Sequence, residues 1–139
     1  KELWTKNEAE FHGRYVDFPL QRSLPKPIQK PHPPIYLGGK GPNVFKRVVE
    51  WGDGWMPNRS TPDSIRKGRS FIDGLAFQIG RDARSVNVSV FGTAGQFANR
   101  DSVKPFEEAG ADRIILWLQQ TAGPESITEM EGMARWALP

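Results

Sequence analysis

The sequence predicts an α/β fold built from four consecutive βα units, in which each strand is followed by a helix. Short apolar or β-branched runs start near residues 35, 54, 87 and 113, and they alternate with segments whose apolar residues recur at helical spacing. Glycine, proline or helix-capping residues separate these segments. Strands that alternate with helices favour a parallel sheet with right-handed crossovers.

The composition narrows the class of protein. With 139 residues, of which 37% are hydrophobic, the chain has the size and the apolar content of one globular domain. The absence of cysteine excludes a disulfide framework and a thiolate metal site. The 19 basic residues are interleaved with 16 acidic ones, so the net charge of +3 forms no basic block and predicts no nucleic-acid partner.

Metal binding and membrane insertion are also not expected. His12 and His32 lie far apart, and neither has a partner at the spacing of a metal ligand. No apolar run approaches the roughly 20 residues that a membrane span needs, and residues 1–10 are too charged for a secretory signal. We therefore expect no metal, no membrane partner and a cytoplasmic location.

The first 34 residues precede the regular pattern. Residues 1–10 predict the later turns of a helix already under way, and since the chain opens without methionine we expect it to be part of a longer one. Six prolines between Phe18 and Pro34 forbid a regular helix or an interior strand and favour extended backbone. We predict one partial domain over 1–139: a helix end and extended segment (1–18), a proline-rich insertion (19–34) and four βα units (35–139).

The first two units are marked by their turns. Ile35–Leu37 predicts a strand, Gly38-Gly39 a turn and Pro42–Trp51 a helix. After the strand Trp55–Pro57, Thr61 is the expected N-cap of a second helix, with a proline at its first position. The predicted apolar face of that helix comprises Ile65, Ile72, Leu75 and Ile79.

The last two units pair the strand Val86–Phe91 with the helix Asp101–Ala109, and the strand Arg113–Leu118 with the helix Pro124–Leu138. Apolar residues of the last helix are Ile127, Met130, Met133, Ala134 and Ala137. Met130, Met133 and Trp136 are compatible with a self-association face, although core packing is the simpler interpretation. Four parallel strands cannot close into a barrel, because such closure takes eight. Either the sheet is open or half of the fold is missing.

The loop Gly38-Gly-Lys-Gly-Pro-Asn43 is the candidate binding site. It joins a strand to a helix start, where backbone N–H groups and the positive end of the helix dipole converge on an anion such as phosphate. Gly38, Gly39 and Gly41 permit close approach, Lys40 adds a charge and Asn43 a hydrogen bond. The loop lacks the P-loop and dinucleotide patterns, so a simple tight turn with a solvated Lys40 is the alternative.

Several motifs occur together in order. They are Glu10-Phe-His-Gly-Arg-Tyr-Val-Asp-Phe18, Pro25-Lys-Pro-Ile-Gln-Lys-Pro-His-Pro-Pro-Ile-Tyr-Leu-Gly-Gly39, Trp51-Gly-Asp-Gly-Trp-Met-Pro57, Gly80-Arg-Asp82 and Ala109-Gly-Ala-Asp-Arg113. This combination resembles the luciferase-like monooxygenase superfamily, and within it the F420-dependent oxidoreductases.

The resemblance implies that the chain is the C-terminal half of a (β/α)8 TIM barrel, strands five to eight, of a flavin- or deazaflavin-dependent oxidoreductase or monooxygenase. It also implies that the loop with Gly38, Gly39, Lys40, Gly41 and Asn43 holds the phosphate of coenzyme F420, or alternatively of FMN. Family members transfer a hydride or use reduced flavin with oxygen. Because much of the pocket around the reactive ring comes from the first four strands, we expect the isolated chain to lack a complete active site.

No catalytic residue is assigned. Trp55, Met56, Phe91, Trp117 and Gln119 lie near predicted strand C-termini, where substrate contacts are expected, although packing is the favoured interpretation for the apolar ones. Asp53 and Asp112 precede strands, which places them at the opposite edge as turn residues.

Two functions remain open from the sequence. In the first, the chain is part of an oxidoreductase that binds a cofactor and a small substrate together with the missing barrel half. In the second, it is a catalytically inactive binding or assembly module that self-associates as a dimer to cover its sheet edges.

Overall fold

The computed structural model describes residues 1–120 and 122–138, which form two compact units, Lys1–Pro34 and Ile35–Pro139. In the first unit, helix α1 (Glu2–Thr5) is followed by the antiparallel strands β1 (Ala9–His12) and β2 (Asp17–Gln21). The Lys26 ammonium binds the carbonyl oxygens of Leu3 and Lys6 at the end of α1. That the whole chain is one partial domain stays a prediction.

The structure corrects one expectation for this unit. The helix predicted over residues 1–10 ends at Thr5, and Ala9 and Glu10 already belong to β1, because Ala9 is buried and pairs with Gln21. Pro19 lies inside the edge strand β2, which agrees with the expectation that the prolines forbid an interior strand. A two-stranded sheet has only edge strands, and its register shifts between Ala9 and Phe11, so a residue without an N–H is tolerated there.

The second unit contains a four-stranded parallel sheet in the order β3-β4-β5-β6. The strands are β3 (Tyr36–Leu37), β4 (Gly54–Trp55), β5 (Asn87–Phe91) and β6 (Arg113–Ile115). Helices α2 (Pro42–Trp51), α3 (Pro62–Gln78) and α4 (Arg100–Glu108) connect consecutive strands, and α5 (Pro124–Ala137) follows β6. The predicted order of βα units is therefore confirmed, and right-handed crossovers between sequential neighbours place the connecting helices on one face of the sheet.

The core lies between that face and the helices. Trp55, Val88 and Val90 point from the strands into a cluster with Phe45, Val48, Ile65, Ile72, Val103 and Phe106 from α2, α3 and α4. Strand side chains alternate between faces, so Tyr36, Asn87, Ser89 and Arg113 lie on the opposite face. This opposite face, called the helix-free face below, has polar groups at the strand starts.

Two predicted apolar faces are less buried than expected. Ile79 is the C-cap of α3 and is exposed, because the chain leaves helical geometry there and turns through Gly80 with a φ of +69°. In α5, Ile127 and Met130 are exposed while Met133, Ala134 and Trp136 are half-buried, so no residue of this helix is fully buried. The expected core packing of α5 is thus only partial.

The N-cap of α3 agrees with the sequence. Thr61 accepts a hydrogen bond from the Ser64 backbone N–H, and the Ser64 hydroxyl accepts one from the Thr61 N–H. Asn99 and Ser102 form the same reciprocal pair at the start of α4. Since each pair satisfies donors that a helix start leaves without partners, both helices begin at defined positions.

Arg81 joins α2 to the segment after α3. Its guanidinium donates to the carbonyl oxygens of Val48, Val49 and Gly52, which lie at the C-terminal end of α2. These carbonyls have few partners within the helix, so a cation satisfies them and complements the helix dipole. The Gly80-Arg-Asp82 motif therefore has a structural role in the described residues.

Replacement of Gly68 in α3 should destabilise the fold, since a Cβ atom there would lie 2.1 Å from Cη2 of Trp55. We expect Gly68→Ala to lower the free energy of unfolding by about 1–3 kcal/mol. Gly74→Ala, in the same helix with open space around the new methyl group, should raise it by up to about 1 kcal/mol. Urea unfolding measures both, and equal effects would contradict the tight Trp55–Gly68 contact.

Loss of the Arg81 cap should be visible in the same measurement. Arg81→Ala removes hydrogen bonds from a charged donor to three carbonyls and should lower the free energy of unfolding by about 2 kcal/mol. Arg84→Ala removes the same charge from a nearby exposed position and should change it by less than about 0.5 kcal/mol. If both variants lost a similar amount of unfolding free energy, the stabilisation would come from the positive charge and not from the hydrogen bonds to the helix end.

Candidate functional site

The glycine loop, residues 38–41, connects the C-terminal end of β3 to α2. Gly39 has a φ of +100°, which side chains of L-residues rarely adopt, and a Cβ atom on it would lie 3.0 Å from Cγ2 of Val44. Gly41 is the N-cap of α2 and Pro42 is its first residue. All residues from Gly38 to Asn43 are exposed, so the loop is open to a ligand.

The start of α2 offers backbone donors. Pro42 has no N–H, and the N–H groups of Val44 and Phe45 both bind the Gly41 carbonyl oxygen. The Asn43 N–H therefore remains as the donor of the first turn, at the positive end of the helix dipole. The five residues predicted to bind the phosphate, Gly38, Gly39, Lys40, Gly41 and Asn43, thus occupy one short connection between a strand and a helix.

Two hydrogen bonds fix the loop to its surroundings. The indole Nε1–H of Trp55 donates to the carbonyl oxygen of Gly39 at 2.7 Å. The Lys40 ammonium donates to the carbonyl oxygen of Arg59 at 2.7 Å. Lys40, expected to be either a ligand contact or solvated, thus ties the loop after β3 to the loop after β4.

Arg59 is a candidate that the sequence interpretation missed. It is the one non-glycine among the described residues with a positive φ, at 46°. Such backbone strain often occurs at ligand sites, and its carbonyl bond to Lys40 brings Arg59 next to the glycine loop. The signal that the sequence offered was its position: the loops that follow neighbouring parallel strands meet at the same edge of a sheet.

The aromatic candidates lie on different faces. Trp55 is fully buried between α2 and α3, where it packs edge-on against Phe45 at 5.1 Å, so the packing interpretation holds for it. Phe91 and Trp117 form a ring pair at 5.5 Å near the C-terminal ends of β5 and β6, and they are 37% and 48% exposed. Since Phe91 alternates with the buried Val90, this pair belongs to the helix-free face.

Two further candidates, Met56 and Gln119, take part in backbone contacts. Met56 donates its N–H to the Leu37 carbonyl oxygen, which extends the pairing of β3 and β4 toward the glycine loop. Gln119 donates its backbone N–H to the Glu129 carboxylate at 2.8 Å, which holds the segment after β6 against α5. Neither contact assigns a catalytic role.

A polar network crosses the helix-free face at the strand starts. The Tyr36 ring lies over Gly54, and its hydroxyl donates to the Asn87 side chain at 3.3 Å. Ser89 donates to the same Asn87 oxygen and accepts from the Arg113 Nε–H, while the Arg113 guanidinium stacks on Tyr36 at 4.8 Å. These residues connect all four strands, and their alternation with apolar residues was the available sequence signal.

Asp53 and Asp112 lie at the opposite edge from the glycine loop, as expected. The Asp53 carboxylate accepts from the Ile35 backbone N–H, and the Asp112 carboxylate from the Val88 N–H, both at 2.7 Å. Each aspartate precedes one strand and binds a backbone N–H at the start of the neighbouring strand. They therefore join neighbouring strands at their starts.

The described residues hold no group of three or more His, Cys, Asp or Glu side chains that could bind a metal ion. His12 Nδ1 lies 2.6 Å from the Asp17 carboxylate, and His32 Nδ1 lies 2.8 Å from the Pro33 carbonyl oxygen. Among the helices of residues 1–120 and 122–138, none is both long and apolar enough to span a membrane.

Comparisons with known proteins identify the family of the chain. Residues 1–102 match the family described as luciferase-like monooxygenase, and the chain belongs to this family. It is 32% identical over 90 residues to the FMNH(2)-dependent dimethylsulfone monooxygenase of Pseudomonas putida, a match that covers 60% of this chain and 24% of that protein. The resemblance stated from the motifs is thereby confirmed.

Two solved structures share the fold. The coenzyme F420 dependent tetrahydromethanopterin reductase from Methanopyrus kandleri superposes with a TM-score of 0.75 at 14% identity, covering 96% of this chain and 58% of the other. An F420-dependent secondary alcohol dehydrogenase, solved with an F420-acetone adduct, gives 0.71 at 14% identity, covering 96% and 56%. The chain thus spans little more than half the length of these two solved structures and about a quarter of the relative from Pseudomonas putida.

Strain at Gly39 is testable without a ligand. Gly39→Ala forces a side chain into a positive φ and toward Val44, so it should lower the free energy of unfolding by about 1–2 kcal/mol. Gly41→Ala, where φ is −86° and an added Cβ atom has no other atom within 4 Å, should lower it only by about 0.5 kcal/mol, because an N-cap prefers glycine to alanine. Thermal or urea unfolding distinguishes them, and a tolerated Gly39→Ala would exclude the positive φ.

Proposed function

We propose that this chain is the C-terminal half, strands five to eight, of a (β/α)8 barrel oxidoreductase, and that its glycine loop binds the phosphate end of a flavin-type cofactor. The observation that carries the proposal is the loop itself: three glycines, one of them with a positive φ, a helix start and a lysine together follow the first strand of the sheet. A phosphate suits this arrangement because backbone N–H groups and a cation stabilise an anion.

The sheet supports the half-barrel assignment. Its strand order follows the sequence, as in a barrel, and β3 and β6 end the sheet without further neighbours among the described residues. Closure into a barrel would require four more strands. The F420-dependent reductase that superposes on the chain has room for them, because the match covers only 58% of its length. The missing half would then cover the helix-free face and supply the rest of the pocket.

Coenzyme F420 is the proposed cofactor, and FMN is the alternative. Both solved neighbours carry F420 in their names, whereas the relative from Pseudomonas putida is named for FMNH(2). Either group, when bound, supplies the hydride or redox chemistry, while the protein binds and orients it. Lys40, the Asn43 N–H and the Asn43 side chain would hold the phosphate, and Arg59 would add a second cation.

A second candidate function rests on the exposed aromatic pair. The Phe91–Trp117 pair exposes apolar surface. The outer strands β3 and β6 each have one edge whose backbone hydrogen-bonding groups no further strand of the described residues covers. A self-associating, catalytically inactive module would cover these surfaces with a second copy. Light scattering combined with titration of F420 and FMN distinguishes the candidates, because the inactive module predicts a stable dimer that binds neither cofactor.

Comparison of FMN with riboflavin tests the phosphate loop, since the two flavins differ only by the phosphate. Fluorescence titration of the purified chain should give an affinity for FMN about tenfold or more above that for riboflavin, because an ionic phosphate forms charge-assisted hydrogen bonds. F420 should bind at the same loop and compete with FMN. Equal affinities for the two flavins, or binding of none of the three, would contradict the proposal.

Lys40→Met should reduce the preference for FMN by about three- to tenfold, since it removes the cation and its bond to the Arg59 carbonyl. Lys46→Met is the matched control, because Lys46 is an exposed residue of α2 that pairs with Glu50 and carries the same charge. An equal reduction in both variants would indicate a general effect of net charge.

A further inference from the structure

We infer that Trp55 is the positioning residue of the glycine loop: its indole N–H orients the Gly39–Lys40 peptide so that the Lys40 backbone N–H faces the phosphate. This inference rests on the proposed function and goes beyond it, because it assigns a ligand-binding role to a buried core residue. Trp55 itself touches neither cofactor nor substrate in this account.

The Trp55 indole sets the direction of the Gly39 carbonyl. Its oxygen accepts the indole Nε1–H at 2.7 Å, and Trp55 is 1% exposed on the helix-covered face of the sheet. The Gly39 oxygen therefore points inward, toward the core. The φ of +100° at Gly39 is the backbone conformation that accompanies this direction, and glycine is the residue that adopts it without strain.

The direction of the Gly39 carbonyl also sets that of the Lys40 N–H. The C=O of Gly39 and the N–H of Lys40 belong to the same planar peptide, and in a trans peptide they point in opposite directions. Because the carbonyl points into the core, the Lys40 N–H points out of it, on the exposed side of the loop. None of the hydrogen bonds between described residues uses the Lys40 N–H, so this donor is available to an anion.

The Trp55 indole ring is held in place by close packing. Its six-membered ring contacts Gly68 of α3 so closely that a Cβ atom there would lie 2.1 Å from Cη2. Phe45 of α2 packs against the same ring edge-on. Both helices therefore hold the donor in one place, and a hydrogen-bond donor that cannot move specifies the orientation of its acceptor peptide.

The decisive measurement is the ratio of FMN to riboflavin affinity in Trp55→Phe, which deletes the indole N–H. We expect this ratio to fall about tenfold while riboflavin affinity changes little, since one donor to the phosphate is lost. A purely structural role would weaken both flavins equally and leave the ratio unchanged. Phe97→Leu is the control for core damage, because Phe97 is a buried aromatic residue that contacts Gly92 and Phe106.

The outcomes separate the inference from the proposed function. If the unmodified chain shows no preference for FMN, the phosphate loop is refuted, and the role of Trp55 with it. If it shows the preference and Trp55→Phe retains it, the role of Trp55 alone is refuted. Should Trp55→Phe fail to fold, benzothienylalanine at position 55 replaces the N–H by sulfur in a ring of nearly equal size, and the same fall in the ratio is expected.

An NMR titration with inorganic phosphate gives an independent readout. In the unmodified chain, the Lys40 amide resonance should shift with phosphate concentration, because its N–H would donate directly to the anion. In Trp55→Phe that shift should be lost or much reduced. Equal shifts in both proteins would overturn the inference.

Discussion

The packing of the second unit depends on the buried side chain of Trp55. Its indole ring lies between α2 and α3, and Gly68 provides the space that the ring occupies. The side chain starts from β4, the strand that joins β3 to β5. Through one residue, two helices, a central strand and the glycine loop are fixed relative to one another, so the geometry of the loop follows from the packing of the core.

The surrounding motif serves the same packing. Gly52 lies close to Val48 and Leu37, and a Cβ atom on Gly54 would collide with the Tyr36 ring. Asp53, between these glycines, binds the start of β3 through the Ile35 N–H. The sequence Trp51-Gly-Asp-Gly-Trp55 thus meets steric and hydrogen-bonding requirements at most of its positions, which gives this part of the resemblance a structural basis.

Prediction from the sequence worked where one physical signal dominated. The β-branched run Val86–Phe91 predicted β5, and Thr61 predicted the start of α3 because capping is local. It was wrong for residues 1–10, where strand pairing across the chain replaced a continued helix, and for Ile79, where the helix ended earlier than the apolar pattern did. The first error comes from strand pairing that local periodicity does not contain, and the second from the turn at Gly80, which ends the helix before its apolar pattern ends.

The candidate site was predictable in part. Glycines before a helix start indicated where an anion would bind, but the direction of each donor depends on Trp55 and Arg59, which are distant from the loop in sequence. The polar network on the helix-free face was missed for the same reason, since Tyr36, Asn87 and Arg113 meet only when the strands pair in register.

The bond between Trp55 and the glycine loop can be measured by hydrogen exchange at the indole N–H groups. We expect the Nε1–H of Trp55 to exchange with solvent far more slowly than that of the half-exposed Trp117, because it is buried and hydrogen-bonded to Gly39. Assigned NMR spectra recorded after transfer to deuterated buffer provide the rates. Comparable rates for the two indoles would mean that the bond between Trp55 and the glycine loop does not persist, and that the core does not set the geometry of the site.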